Sequence, residues 1–168
     1  MKMLISVWIV FLVACSQSEN QKRVIVDLSC RGLREIPDSI FENQSITDLD
    51  IGCNNLTLYP PLSALSDTGF NQLTELPTKI GDLTNLRTLI LSTNKLENFP
   101  WEITKLTELE YLDLSYNSDF KIVEEMPKLE QLRKLKTLKV IFVNLSPRDI
   151  TLLALHLKGT KIVTRLEE

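Results

Sequence analysis

Histidine is nearly missing from this chain, and glycine, cysteine and aromatic residues are scarce: one His, five Gly, three Cys and 7% aromatics in 168 residues. Each shortage excludes a class of chemistry. Scattered glycines leave no phosphate-cradling loop and no nucleophile elbow, and without a CxxC pair there is no zinc signature. His156 has no acidic or Cys neighbour at ligand spacing in the sequence, so it reads as a packing or partly exposed side chain on a terminal helix rather than a catalytic or metal-binding group. No metal and no cofactor is expected. An excess of positive charge is also lacking: 19 Lys and Arg against 22 Asp and Glu give a net charge of −3 and a pI near 5.3. That argues against nucleic acid, whose phosphates require clustered cations.

No apolar run is long enough to span a bilayer. The longest, Met3 to Ala14, holds twelve residues broken only by Ser6 and follows Lys2. As a helix it would cover roughly 18 Å against about 30 Å of hydrocarbon, which fits the core of a signal peptide rather than an anchor. It ends in Leu12, Val13, Ala14 and Cys15, which resemble the lipobox of bacterial lipoproteins. That resemblance implies cleavage before Cys15, lipid attachment at Cys15, and a polar tether after it. An ordinary secretory signal with an incidental Cys15 is the alternative.

The rest of the chain is ordinary for a globular protein, with 43% hydrophobic and 24% charged residues and enough length for one domain with a core. Its organising stretch is Leu86 to Asn117. Leu86, Leu89, Leu91 and Asn94 are answered 23 residues later by Leu109, Leu112, Leu114 and Asn117, with Leu96, Phe99, Pro100, Ile103 and Leu106 between. A fixed period of this size marks a solenoid whose units bury their apolar sides against their neighbours. The spacing LxxLxLxxNxL resembles the leucine-rich repeat family, and the following Pro and IxxL resemble its 23-residue subclass, found in the Ras-suppressor proteins and in bacterial surface proteins. The resemblance implies an α/β solenoid of five to six repeats, curved, with parallel strands on the concave face, short helices or turns outside, and capping units at both ends.

The other repeats are less regular. Val24, Val26, Leu28, Leu33, Ile36 and Pro37 form a first repeat with Arg31 in place of Asn, as suits a cap. Ile46, Leu49, Ile51, Asn54, Leu56 and Pro60 read as a second repeat with Asn54 as its ladder residue, and only 17 residues separate Asn54 from Asn71. The apparent six-residue deficit falls where a strand is expected, so Ser63 to Phe70 is expected to be the weakest segment. Met126, Leu129, Leu132 and Leu135 give Glu124 to Lys136 a helical look. Ser146, Pro147 and Gly159 frame a closing helix, followed by a strand from Lys161 to Thr164. The expected division is a signal peptide over 1–14, a tether over 15–22 and a repeat domain over 23–168, with an N-cap at 23–44, repeats at 45–145 and a C-cap at 146–168.

Carried onto this sequence, the family's concave face brings forward Asp48, Asp50, Phe70, Ile90, Thr93, Tyr111, Asp113, Tyr116, Lys139 and Phe142 as binding residues. Cys30 and Cys53 occupy the same place in adjacent repeats. Stacked strands lie about 4.8 Å apart, within disulfide reach, although parallel strands aim Cβ vectors awkwardly and two small residues filling equivalent sites would give the same pattern. The expected function is recognition of another protein or a glycan by an exported module, lipid-anchored to a bacterial cell or outer membrane, with no enzymatic reaction. A cytoplasmic scaffold or regulator of signalling enzymes, if the leader is misread, and a structural envelope protein are the rivals.

Overall fold

The structure, a computed structural model, describes residues 22–53 and 69–165. The leader, Cys15, the tether up to residue 21, the Asn54 to Pro60 part of the second repeat and most of the Ser63 to Phe70 segment lie outside the described residues.

Among the described residues are six strands of three residues each: β1 Ile25–Asp27, β2 Asp48–Asp50, β3 Thr88–Ile90, β4 Tyr111–Asp113, β5 Thr137–Lys139 and β6 Lys161–Val163. All neighbours are parallel and follow chain order from β1 to β6. Such short strands hold register because one apolar residue per strand points inward. Val26, Leu49, Leu89, Leu112, Leu138 and Ile162 align in one row, and the four central leucines are completely buried. Slipping by one residue would turn this row to solvent. A second buried row, Ile51, Leu91, Leu114 and Val140, lies two residues on, as the strand period demands. The architecture is the expected leucine-rich repeat solenoid.

The outer side is built from turns. Pro77 and Pro100 sit in extended backbone just before 3-10 helices at Thr78–Asp82 and Trp101–Lys105, whose Ile80 and Ile103 are buried. These helices approach closely enough that a Cβ on Gly81 would lie 2.8 Å from the Glu102 carbonyl oxygen. The expected helix across Glu124 to Lys136 is only α1, Met126–Leu129. Its leucines recur every three residues, which is the 3-10 period, not the 3.6 of an α-helix. Accordingly the Leu132 and Leu135 amides donate to carbonyls three residues back, at 3.1 and 2.9 Å. In this lengthened repeat Glu125 and Lys128 satisfy the backbone before Pro100: Glu125 Oε2 accepts from the Phe99 amide at 3.1 Å, and Lys128 Nζ donates to the Phe99 carbonyl at 2.5 Å.

A file of buried asparagines joins the turns. Asn94 Oδ1 accepts from the Leu73 amide, and its Nδ2 donates to the carbonyls of Ile51 and Leu91. Asn117 repeats the pattern with Leu96, Leu91 and Leu114. Asn71 accepts from the amides of Arg31 and Leu33, at 3.1 and 2.8 Å, and donates to the carbonyls of Leu28 and Ile51, at 2.9 and 2.8 Å. Asn71 therefore fills the slot that the repeat spacing assigns to Asn54. β2 pairs directly with β3, 40 residues on. The apparent shortened repeat is instead a normal 23-residue repeat carrying 17 extra residues between Cys53 and Asn71.

The C-terminal end is closed by α2, Pro147–His156, started by a capping box in which the Ser146 and Asp149 side chains each accept from the other's backbone amide. Leu153 and Leu157 cover the core, and Gly159, at φ +89°, turns the chain into β6. His156 lies on the exposed side of α2, with Nδ1 2.5 Å from Glu130 Oε1.

Candidate binding face

The sheet surface away from the core carries the residues picked out by the repeat phase, with several differences. Asp27, Asp50 and Asp113 stand in one row between the inward positions. The Oδ1 atom of each accepts from the amide two residues on, that of Ser29, Gly52 or Ser115, at 2.8 to 2.9 Å. Their local task is to bend the chain as it leaves the strand. Asp113 is fully buried; its Oδ2 has no hydrogen-bond partner among the described residues and faces Lys139 Nζ at 3.5 Å. Asp48 is also buried, paired with the Arg23 guanidinium and accepting from Thr47 Oγ1 at 2.8 Å. Burial raises the Asp48 pKa, but hydrogen bonds from Arg23, Thr88 and Thr47, with the Arg23 charge, outweigh it and hold the carboxyl below the ordinary range. Asp48 and Asp113 thus lie on this side of the sheet but are buried against cations instead of meeting solvent. Asp50 differs: partial burial and then the Asp27 and Asp113 charges raise its pKa, only partly offset by the Gly52 amide.

Tyr111 opens β4 with its ring half-buried. Burial, followed by the negative charge of Asp113, pushes its phenol up to about 12, so it remains a proton donor throughout the neutral range. Ile90, Thr93 and Lys139 also lie half-exposed on this surface.

Where each strand turns away, Cys30, Thr93, Tyr116 and Phe142 adopt left-handed backbone, at φ 52°, 59°, 61° and 54°. This conformation is uncommon outside glycine and disfavours a β-branched residue. At Thr93 the side chain compensates through an Oγ1 bond to the Cys53 carbonyl at 3.1 Å. Tyr116 and Phe142 stack with ring centroids 5.0 Å apart, and Phe142 is 66% exposed. Phe70 does not join this row. The Cys53 amide donates directly to the Ser92 carbonyl, so the row passes from Cys53 to Thr93, with Phe70 half-buried beside Asn71. Cys30 and Cys53 are joined by a disulfide with a Cα separation of 4.9 Å, tying the first turn to the second.

Two depressions complete the face. One of about 380 Å3 has Tyr111, Thr137, Lys139 and Arg165 on its walls, with Ile141 and Val163 as apolar elements. The other, of about 430 Å3, shares Tyr111 and Thr137 and extends past Thr88 to Arg87 and Lys136. The sequence reading overlooked Arg23, Arg87, Lys136, Thr137 and Arg165. A signal for two of them exists: a charged residue follows the first strand leucine in three successive repeats, as Leu86-Arg87, Leu109-Glu110 and Leu135-Lys136. Among the described residues no group of three His, Cys, Asp or Glu is arranged to hold a metal, and no helix is long and apolar enough to cross a membrane.

No family model and no curated protein sequence matches the chain. Among solved structures the chain is similar to a leucine-rich repeat protein of Leptospira interrogans, at 24% sequence identity and a TM-score of 0.36. The match covers 83% of this chain and 48% of that one, so the chain spans about half the length of that protein.

Proposed function

We propose that this chain is a binding module of the 23-residue repeat type that holds another protein, or a glycan, on the open face of its sheet, and that it is exported and lipid-anchored through Cys15 to a bacterial envelope membrane. The observation that carries the reading is the Tyr116 and Phe142 stack, where a large ring stays 66% exposed on strained backbone, next in sequence to Ile141 on the wall of one depression. Exposed aromatics of limited rotamer freedom serve as interface anchors at low entropic cost. Recognition here is by a preformed surface, without a reaction, because register, asparagine file and disulfide fix the backbone beneath it before a partner arrives.

The test is capture from native envelope with crosslinking, comparing the wild-type chain with Tyr116→Ala/Phe142→Ala. Loss of a specific partner in the double variant is the expected result; identical capture by both proteins removes the reading. The anchor is tested separately by fractionation, in which Cys15→Ala is expected to leave the membrane fraction. Equal recovery there overturns the lipid assignment.

A further inference from the structure

One polar atom on the open face lacks what its burial demands. Asp113 Oδ2 is out of reach of water and accepts no hydrogen bond among the described residues, while Asp113 Oδ1 is taken by the Ser115 amide at 2.9 Å. A carboxylate oxygen in that state is costly, so an interior seldom keeps one without a use for it. The Lys139 ammonium answers the charge, but at 3.5 Å and without a hydrogen bond. Lys139 is the residue opposite Asp113 on β5, and both stand in an outward row. The oxygen therefore lies on the open side of the sheet, against a flexible, part-exposed lysine chain.

Two hydroxyls share that place. Tyr111 stands two residues before Asp113 on β4, Thr137 stands two before Lys139 on β5, and the two are paired in register. Strand geometry sets the four residues at the corners of a patch about 5 Å by 7 Å. The Tyr111 phenol, pushed up to about 12 by burial first and then by Asp113, stays a proton donor at neutral pH. Tyr111, Thr137 and Lys139 line the depression of about 380 Å3, and Ile141 and Val163 give it an apolar side. The gap between Asp113 Oδ2 and Lys139 Nζ suits a group that donates and accepts at one atom, as a hydroxyl does. The N–H and C=O of a trans peptide unit point to opposite sides of the chain, and a carboxylate has no proton to give. A neutral polyol therefore fits better than a peptide backbone or an anion. Being uncharged, it is indifferent to Lys161 and Arg165 on the walls and to Glu167 and Glu168, which follow in the sequence.

We infer that the patch of Tyr111, Asp113, Thr137 and Lys139 is a saccharide subsite, in which one sugar hydroxyl donates to Asp113 Oδ2 and accepts from Lys139 Nζ while a neighbouring hydroxyl bonds Tyr111 and Thr137. A small rotation of the lysine chain opens the carboxylate oxygen to the ligand. The apolar face of the sugar ring rests on the half-exposed Tyr111 ring. The subsite rests on the open face being a recognition surface, and it narrows the partner to a neutral glycan. Both new bonds of the first hydroxyl involve a charged group, which makes them the stronger contacts.

The full chain in mild detergent is titrated by calorimetry with maltotetraose, cellotetraose and chitotetraose, neutral tetrasaccharides that differ in stereochemistry, and with an uncharged octapeptide of serine and glutamine. At least one tetrasaccharide is expected to bind, with an affinity that does not fall as salt rises, because the ligand carries no charge to screen. Thr137→Val and Tyr111→Phe each remove one hydroxyl and keep the shape, and each is expected to weaken that binding about fivefold or more. Asp113→Asn keeps an oxygen for the Ser115 amide but presents an N–H where the sugar donates, and is expected to weaken binding about tenfold or more. No binding of any tetrasaccharide up to about 10 mM assigns the gap to solvent and overturns the inference. Tighter binding of the octapeptide, or an affinity unchanged by both hydroxyl deletions, overturns it as well. Envelope capture that is lost in Tyr116→Ala/Phe142→Ala, without saccharide binding, refutes this subsite and leaves the binding module standing. Saccharide binding with identical envelope capture by wild type and that double variant keeps the subsite and removes the reading built on the aromatic pair.

Discussion

Replacing Asn71 by Ala tests the account of the asparagine file most directly. The side chain is 1% exposed and makes four hydrogen bonds to backbone. Two of its partners have recourse after the substitution: Arg31 is exposed enough for water to reach its amide, and the Ile51 carbonyl keeps its bond from Asn94 Nδ2 at 3.0 Å. The Leu33 amide and the Leu28 carbonyl lose their asparagine partner. At about 1–3 kcal/mol per unsatisfied buried group, with a small cavity added, Asn71→Ala is expected to cost about 3–5 kcal/mol. That is a large share of the 5–15 kcal/mol typical of a domain. Asn54→Ala leaves these four Asn71 bonds in place and is expected to change stability by less than about 0.5 kcal/mol. Urea unfolding followed by far-UV circular dichroism, with the disulfide intact, measures both. A cost at Asn54 matching or exceeding that at Asn71 would falsify the assignment of residues 54–70 as an insertion.

Three further outcomes follow from local geometry. Gly81→Ala should lower the thermal midpoint by an amount equivalent to about 1–3 kcal/mol, since its Cβ would meet the Glu102 carbonyl at 2.8 Å; an unchanged or higher midpoint means the 3-10 helices can separate at no cost. The folded pKa of Asp50 is raised, so the folded state binds its proton more tightly and stability falls as pH rises through the interval between the unfolded and folded values. Asp50→Asn should therefore stabilise at neutral pH, with the gain vanishing below the ordinary aspartate range; a gain independent of pH contradicts the electrostatic cause. Tyrosinate absorbance should show one phenol titrating near 12 that disappears in Tyr111→Phe, with stability declining as pH climbs from about 10 toward that value. A chain whose tyrosines all titrate together near 10 would refute the burial of Tyr111.

The elements most legible in the sequence were those in which one local rule decides the outcome. Strand positions followed from the leucine phase because a single inward residue per strand fixes register, and α2 followed from Ser146, Pro147 and Gly159 because caps act within one turn. The insertion was not legible for the opposite reason. Asn54 to Pro60 reads NNLTLYP and Asn71 to Pro77 reads NQLTELP, so two nearly identical phrases compete for one slot. The choice is made by Leu28 and Leu33, some 40 residues away. The chemistry of the open face was similarly hidden. Phase alone puts Asp48 and Asp113 on it, but their burial depends on Arg23 and Lys139, which meet them only when strands stack. Three-residue leucine steps at Met126 to Leu135 were readable as a 3-10 path, and the error there was one of period.

The disulfide has a mechanical consequence. If the chain is tethered upstream of Lys22 and loaded through a partner at its far end, tension enters at the N-terminal edge and would peel β1 away first. Peeling stops at Cys30, because the covalent path then crosses directly to Cys53 and the 22 residues between carry no load. The slack released before that stop is the extended length of residues 22–30, roughly 30 Å. The first repeat thus behaves as a short extensible leash with a hard limit: peeling gives up the Asn71 bond to the Leu28 carbonyl, and the covalent link then keeps residues 31–52 out of the load path.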